Sequence, residues 1–234
     1  MVSYLGMGGR FGNILLAIYT VYNYCNRYKI DYDKIFFYKN GLTIKNNYFS
    51  YIKDFFINIY DKFSYDKDTY NLLYKTSIKN NGKFHGDTVI FKGFNFSLPR
   101  QYKQICIFST IFYNNDLWEK IRSKTNFNLK DYYAVHIRRK DFIHAYNGKF
   151  FQTKNVITKR LQKINGNCII FSDDIEWCKK NLNNNKIFYL EKKLRCYEEW
   201  IIMTMCKSVS HSPYSSFSKC AKYINFYLKT KHKI

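Results

Sequence analysis

Short apolar runs alternate with longer segments of helical spacing in the second half of the chain. Four runs have the length and the β-branched or aromatic content of strands: residues 133–137, 168–171, 186–190 and 209–211. Apolar residues at helical spacing predict helices over residues 152–164, 175–182, 197–206 and 215–228. Strands that alternate with helices predict a doubly wound parallel sheet, so the fold class is α/β.

The first half of the chain begins with the same alternation, which then becomes less regular. Strands are predicted over residues 2–5, 34–38 and 88–91, and helices over 14–22, 48–60 and 116–125. A glycine-rich segment, residues 6–13, joins the first strand to the first helix. Such a segment brings backbone amides and a helix N-terminus close to a ligand. Its spacing matches neither the dinucleotide fingerprint nor the P-loop, and a tight turn explains it equally well.

Three of the predicted strands are followed by polar residues, namely Arg138-Arg139-Lys140-Asp141, Ser172-Asp173-Asp174 and Ser215-Ser216. Parallel strands place their carboxyl ends at one edge of the sheet, where ligands bind in open α/β folds. Each end alone is also compatible with a solvated terminus, a helix cap or a serine turn. Together they predict a nucleotide site, in which arginine and a helix N-terminus bind a diphosphate and a carboxylate binds ribose or base.

Charge and cysteine usage narrow the partners and the compartment. Lys and Arg number 39 against 17 Asp and Glu, and the net charge of +22 suits nucleic acid, a membrane surface or an anionic substrate as partner. The lysines are scattered, however, which favours a coding bias. The seven cysteines show no zinc-like spacing and several lie in apolar runs, which predicts reduced thiols and a cytoplasmic protein. We expect no membrane-spanning segment and no signal peptide, because neither pattern is recognisable.

Four sequence blocks carry a resemblance to a known family. They are residues 9–13 (GRFGN), 136–141 (HIRRKD), 171–178 (FSDDIEWC), and 198–207 (EEWIIMTMCK) with 215–218 (SSFS). In this order they resemble the motifs of the α1,2-fucosyltransferase family, which is related to α1,6- and protein O-fucosyltransferases. The chain departs from the family in being shorter and in having Lys219-Cys220 after the last block.

The resemblance implies a GT-B-like fold of two Rossmann-like halves with parallel sheets. Residues 1–125 would form a shortened acceptor-side half, and residues 126–234 the half that binds the GDP-sugar. The implied reaction transfers L-fucose from GDP-fucose to a hydroxyl of a glycan acceptor, in an α1,2 linkage and with inversion. No metal and no cofactor besides the donor substrate are implied, and nucleic acid is not an expected partner.

The same resemblance assigns roles to residues, motif by motif. Arg138 would bind the β-phosphate and the bridging oxygen, and Asn13 would face fucose or the acceptor. His136 would place the nucleoside or fucose, and Asp173 would hydrogen-bond the nucleoside. The diphosphate would be seated by Ser215, Ser216 and Phe217. The other motif residues assigned to substrate binding are Arg10, Gly12, Arg139 and Ser172.

The general base for the acceptor hydroxyl is left open. Asp141 and His144 are titratable groups close to the central motif. Asp141 is included among the catalytic candidates, although a structural pairing with Arg139 is the favoured interpretation. His144 is interpreted as a loop residue.

Two alternatives remain on the sequence alone. One keeps the fold and the guanine nucleotide but transfers a different GDP-linked hexose. The other is a basic nucleic-acid-binding protein, suggested by the net charge and the 23 tyrosines. No residue in the sequence determines the acceptor sugar, the linkage or the oligomeric state.

Overall fold

The computed structural model describes residues 2–5, 11–29, 31, 35–38, 55, 63–64, 89–92 and 113–232. The chain divides into two compact units, Met1–Tyr113 and Asn114–Ile234. The boundary expected from the sequence, after residue 125, stays a prediction. The assignment of one unit to the acceptor and the other to the donor stays a prediction.

The first unit contains a parallel four-stranded sheet and a long helix. Its elements are β1 (Val2–Leu5), α1 (Phe11–Tyr28), β2 (Ile35–Tyr38), β3 (Phe63–Ser64) and β4 (Val89–Lys92). The strands lie in the order β3-β2-β1-β4, and every pair is parallel. The three predicted strands are confirmed. Strand β3 was missed because two residues give no periodicity, and the helix predicted over 48–60 lies outside the described residues except for Phe55.

Helix α1 forms because its apolar residues repeat every three or four positions. Leu15, Ile18, Tyr22 and Cys25 lie on one stripe and are all buried. Phe11, at the start of the helix, meets the Phe55 ring edge-on, with the ring centroids 5.0 Å apart. The helix is longer than the predicted 14–22, because buried Phe11 and Cys25 continue its apolar stripe at both ends.

The second unit repeats the architecture with more complete elements. They are α2 (Asn115–Arg122), β5 (Tyr132–Ile137), α3 (Lys154–Gln162), β6 (Asn167–Ser172), α4 (Ile175–Asn181), β7 (Ile187–Tyr189), α5 (Cys196–Met205), β8 (Ser208–Ser210) and α6 (Ser216–His232). The strands lie in the order β7-β6-β5-β8 and are all parallel. These elements confirm the strands and helices predicted in this half, with ends that shift by a few residues.

Both sheets have the same strand order, in which the first and fourth strands are neighbours. In the second unit the chain moves outward from β5 to β6 and β7, and then returns across the sheet to β8 on the other side of β5. The direction of the crossovers thus reverses between β5 and β8. Such a switch point opens a crevice at the carboxyl ends of the two strands, and ligands bind there.

The two faces of the second sheet are covered by different helices. Val135 and Ile137 of β5 pack with Ile157 of α3 and Cys178 of α4 in one buried cluster. The alternate residue of the strand, His136, points to the opposite face and lies against α6. The sheet is therefore buried on both faces, which explains why its strands read as continuous apolar runs.

Helices α5 and α6 are joined by buried hydrogen bonds. Asn225 of α6 donates through Nδ2 to the carbonyl oxygens of Thr204 and Cys206, at 2.9 and 2.6 Å, and so satisfies the C-terminal end of α5. The Trp200 indole donates to the carbonyl oxygen of Phe217, at 3.1 Å, in the first turn of α6. These bonds fix the start of α6 relative to the helix beneath it.

No helix within the described residues combines the length and the apolar character that crossing a bilayer requires.

Candidate active site

The three polar strand ends predicted to meet do lie together in the second unit. The backbone N–H of Arg139, after β5, donates to Asp173 Oδ1 after β6, at 2.8 Å. The backbone N–H of Arg138 donates to Ser212 Oγ, which follows β8, at 3.3 Å. One edge of the sheet thus carries the ends of β5, β6 and β8, with the switch point between β5 and β8.

Arg138 is held at this edge by carboxylates. Its Nε and Nη2 donate to the two oxygens of Asp141, at 2.6 and 2.8 Å, and Nε also lies 3.2 Å from Asp173 Oδ2. The fork geometry fixes the plane of the guanidinium. Among the described residues no partner accepts a hydrogen bond from its Nη1, and the side chain is 14% exposed. Arg138 therefore keeps one donor edge available to a ligand.

Arg139 faces the other way and is buried. Its guanidinium carbon lies 3.3 Å from the centroid of the Trp177 ring and 4.8 Å from that of Phe151. Its Nη1 donates to the carbonyl oxygen of Gln152, at 3.2 Å, and Nε reaches Asp174 Oδ2, at 3.4 Å. These contacts stabilise the strand end. A direct contact between Arg139 and substrate stays a prediction.

The expected pairing of Asp141 with Arg139 is corrected by the structure. Asp141 binds Arg138, three residues earlier, because a short 3₁₀ turn over Asp141–Ile143 follows the strand and brings the carboxylate back. Arg139 pairs instead with Asp174. The sequence spacing of Asp141 from the two adjacent arginines does not show which of them it pairs with, because their side chains point in opposite directions.

Asp173 contacts both arginines, Arg138 through its side chain and Arg139 through its backbone N–H. Burial raises its pKa above the ordinary value, and the neighbouring Asp141 carboxylate raises it further, while hydrogen bonds from the backbone of Arg139 and Lys140 oppose the rise. Its Oδ2 is buried and accepts no hydrogen bond within the described part of the chain. That oxygen can accept a hydrogen bond from a ligand.

Ser172 has structural contacts on both sides. Its hydroxyl donates to the carbonyl oxygen of Ile137 on β5, at 2.8 Å, and accepts the backbone N–H of Asp174, at 3.0 Å. The residue therefore ties β6 to β5 and shapes the turn into α4. Its assignment to substrate binding stays a prediction.

The β8 side of the crevice has buried polar atoms without partners. His136 Nδ1 and Ser215 Oγ are both buried and make no hydrogen bond within the described residues. The His136 ring packs against Phe217, with the centroids 5.3 Å apart. Burial lowers the pKa of His136 to about 3, helped by the positive charge of Arg160, so the imidazole is neutral at physiological pH.

A tight turn delivers the N-terminus of α6 to this side. The backbone N–H of Ser215 donates to the Ser212 carbonyl oxygen, at 3.2 Å, and Ser212 N–H donates to Ser218 Oγ, at 3.1 Å. Tyr214, inside the turn, has a φ of 59°, a left-handed conformation that is uncommon for a bulky side chain. No acidic residue occupies the first turn of α6. The helix N-terminus is therefore suited to an anion.

Three functional candidates were missed by the sequence analysis: Gln152, Arg160 and Ser212. The hydroxyl of Ser212 accepts both the Arg138 N–H and the Gln152 side-chain amide. Arg160 donates to the carbonyl oxygens of His136 and His211. Ser212 could have been found as one more polar residue after a strand. Nothing in the basic sequence of α3 distinguishes Arg160 from a solvated arginine.

The N-terminal candidates lie in the other unit. Gly12 is buried and Asn13 is half-buried, both in the first turn of α1, which begins three residues before the predicted helix and so includes the end of the glycine-rich segment. Arg10 lies outside the described residues. The roles of these three residues opposite the donor stay predictions.

Within the described residues no cluster of three or more His, Cys, Asp or Glu side chains is arranged to hold a metal ion. The adjacent Asp173 and Asp174 point to different arginines, which accounts for their charges without a cation.

Two Rossmann-like sheets, with a basic and helix-capped crevice at the switch point of the second, are typical of glycosyltransferases of the GT-B class. The chain belongs to glycosyl transferase family 11, whose family model matches residues 100–231. This confirms the resemblance to fucosyltransferases, and the protein is a glycosyltransferase.

A solved structure is similar over nearly the whole chain. It is NodZ alpha-1,6-fucosyltransferase soaked with GDP-fucose, with a TM-score of 0.60, 11% sequence identity, and coverage of 95% of this chain and 92% of that one. At this identity the likeness establishes the fold, and it confirms the expected GT-B-like class. No curated protein matches the sequence significantly.

Proposed function

We propose that the protein transfers L-fucose from GDP-fucose to a hydroxyl of a glycan acceptor, with inversion and without a metal, and that the linkage is α1,2. Family membership and the fold of the GDP-fucose-soaked relative support the donor. The linkage rests on the sequence blocks alone. A cytoplasmic location is supported by buried cysteines that form no disulfide, such as Cys168, Cys178, Cys206 and Cys220.

The observation that carries the proposal is that two groups suited to a diphosphate lie on the two sides of the switch point: Arg138 after β5, and the N-terminus of α6 after β8. In GDP-sugar transfer, negative charge grows on the diphosphate as the bond to the sugar breaks. An arginine whose plane is already fixed, and a helix N-terminus, stabilise that charge without reorganisation. The donor edge of Arg138 and the buried hydroxyl of Ser215 are the groups we assign to the diphosphate, with Ser216 and Phe217 seating it.

The nucleoside end of the donor is assigned to two buried atoms that make no hydrogen bond within the described residues, Asp173 Oδ2 and His136 Nδ1. Asp173 Oδ2 can accept from an N–H or O–H group of the nucleoside, and neutral His136 can accept or donate one hydrogen bond through Nδ1 according to its tautomer. Asn13 would face fucose or the acceptor. Asp141 acts here through Arg138, whose guanidinium it orients, so no base for the acceptor hydroxyl is assigned.

Thermal stability with a panel of nucleotides tests the proposal. The protein is heated with GDP, GDP-fucose, GDP-mannose and UDP-galactose, with no added metal and with a chelator present. Ligands that bind the native state raise the melting temperature. We expect a shift with the guanine nucleotides, and donor hydrolysis and transfer with GDP-fucose. Hydrolysis of GDP-mannose instead would replace the sugar in the proposal.

Arg138→Ala is the matched variant, and we expect it to lose about 100-fold in GDP affinity because two charge-assisted hydrogen bonds are removed. Arg122→Ala serves as its control, since Arg122 is exposed on α2 and pairs only weakly with Glu119. A wild-type protein that gains no stability from any guanine nucleotide would overturn the proposed donor.

A further inference from the structure

Arg160 is a half-buried cation whose Nε is fully buried and whose contacts are neutral groups. Its Nη2 donates to the His136 carbonyl oxygen, at 2.7 Å, and its Nη1 donates to Gln152 Oε1, at 3.1 Å, and to the His211 carbonyl oxygen, at 3.4 Å. Burial lowers its pKa to about 10, which still leaves the guanidinium charged at neutral pH. Among the described residues no carboxylate pairs with it. A partly buried charge without a counter-charge costs free energy, and a bound anion would offset that cost.

The carbonyl groups that Arg160 binds belong to the two strands on either side of the switch point. His136 is in β5, and His211 follows β8 directly. One guanidinium therefore bridges the two strand ends and fixes the distance between them. Its planar fork is suited to this, because several donors are held in one rigid geometry.

Gln152 connects Arg160 to the groups assigned to the donor. Its Oε1 accepts from Arg160, and its Nε2 donates to Ser212 Oγ, at 3.1 Å. The same Ser212 hydroxyl accepts the backbone N–H of Arg138. The chain of contacts thus runs from Arg160 through Gln152 and Ser212 to the backbone that presents the Arg138 side chain.

The positive charge of Arg160 changes the electrostatic potential at the two strand ends. It contributes to lowering the pKa of both His136 and His211, which lie on the two strand ends. Charges in a buried environment are screened less than charges in water. An anion bound at the switch point would therefore experience the field of Arg160 without touching it.

We propose that Arg160 is a positioning residue for the donor diphosphate: it fixes the ends of β5 and β8 relative to each other, and the bound diphosphate is the counter-charge for its half-buried guanidinium. The inference rests on the proposed function and extends it to a residue outside the motifs that the sequence singled out. It predicts that Arg160 affects nucleotide binding more than it affects the stability of the protein without ligand.

Gln152→Glu is the most informative variant. A carboxylate at this position would neutralise Arg160 within the same contact and could still accept a hydrogen bond from the Ser212 hydroxyl. We expect the melting temperature of the ligand-free protein to stay at or above that of the wild type, while the dissociation constant for GDP, measured by calorimetry, rises about tenfold or more. A purely structural role would make affinity follow stability.

Arg160→Met and Arg160→Lys complete the test. The apolar variant should weaken GDP binding by about tenfold or more and also lower kcat for donor hydrolysis, because Arg138 is displaced. The lysine variant keeps the charge but not the fork, so we expect it to recover part of the affinity and less of kcat. Ile157→Val, buried on the same helix away from these contacts, is the control for a loosened α3 and should bind GDP normally.

The outcomes separate the two proposals. If Gln152→Glu and both Arg160 variants bind GDP with the affinity of the wild type, the positioning role is overturned and the proposed donor stands. Variants whose GDP affinity falls only in proportion to their melting temperature would overturn it as well. A wild-type protein that binds no guanine nucleotide would overturn the proposed donor and, with it, the inference.

Discussion

The two sides of the β5 strand end satisfy their polar groups in opposite ways. On the β6 side, Arg139 forms an ion pair with Asp174 and stacks on the Trp177 ring. The Ser172 hydroxyl makes hydrogen bonds to two backbone groups. On the β8 side, His136 Nδ1 and Ser215 Oγ are buried without partners in the described residues. Buried polar groups are normally hydrogen-bonded, so the two unsatisfied atoms on the β8 side destabilise the folded protein. A ligand that forms hydrogen bonds with them would offset this free energy. Apart from Asp173, whose Oδ2 is also buried without a hydrogen bond in the described residues, the β6 side contributes to the fold, and we propose that the β8 side contributes to donor binding.

The largest expected effect is on the β6 side, in Arg139→Leu. This change leaves Asp174 without its cation and removes the cation–π contacts with Phe151 and Trp177. We expect a loss of about 3 kcal/mol in the free energy of unfolding, measured by denaturant titration. Lys179→Leu, which breaks an exposed pair with Glu176 on the following helix, should change stability little. Equal effects of the two changes would contradict the structural role of Arg139.

A matched pair of serine substitutions sharpens the comparison. Ser172→Ala removes a hydroxyl that bonds two backbone groups, and should cost about 1–2 kcal/mol of stability. Ser215→Ala removes a buried hydroxyl without a partner, and should leave stability within about 0.5 kcal/mol of the wild type. In GDP titrations the order should reverse, with the larger loss of affinity in Ser215→Ala. A stability loss in Ser215→Ala as large as in Ser172→Ala would end the distinction between the two sides.

The smallest effect is a pH dependence that belongs to the β8 side. The pKa of His136 is about 3 in the folded protein and about 6.5 in an unfolded chain, so the unfolded state binds more protons between these values. Stability is therefore fully present above pH 6.5 and falls as the pH is lowered towards 3. Between pH 7.5 and 5.5 the loss should be about 1 kcal/mol.

The His136→Asn variant checks the origin of that loss. Unfolding titrations at the two pH values should show a smaller difference in the variant, because the residue that takes up the proton is gone. His211, whose pKa is also lowered by burial, contributes in the same direction and remains in the variant. A variant with the full wild-type pH dependence would show that His136 is not the group that titrates.

The sequence predicted the strand ends of this site because the signal for them is local. Residues 133–137 form an apolar run followed by charges, and the serines before α6 mark a helix start, so both features can be read within a few residues. Parallel topology then places the ends at one edge without further information. Whether Asp141 would pair with Arg138 or Arg139 depended on a 3₁₀ turn that has no clear pattern.

Contacts between distant segments were beyond the reach of such patterns. Arg160 lies in a helix with several exposed basic residues, and its role depends on how the β5–α3–β6 crossover packs beneath the strand ends. Strand β3 is two residues long and is defined only by its pairing with β2. In both cases the decisive partners are far apart along the chain, and a single sequence does not report them.

The tryptophan fluorophores are confined to one of the two units of the chain. All three, Trp118, Trp177 and Trp200, belong to the second unit. The Trp177 ring stacks on Arg139, and the Trp200 indole is bonded to the first turn of α6. Emission excited selectively from indole therefore arises from the unit that carries the candidate site, and two of its three sources touch the segments around the crevice. The protein contains its own fluorescent reporters of that unit, with no label needed.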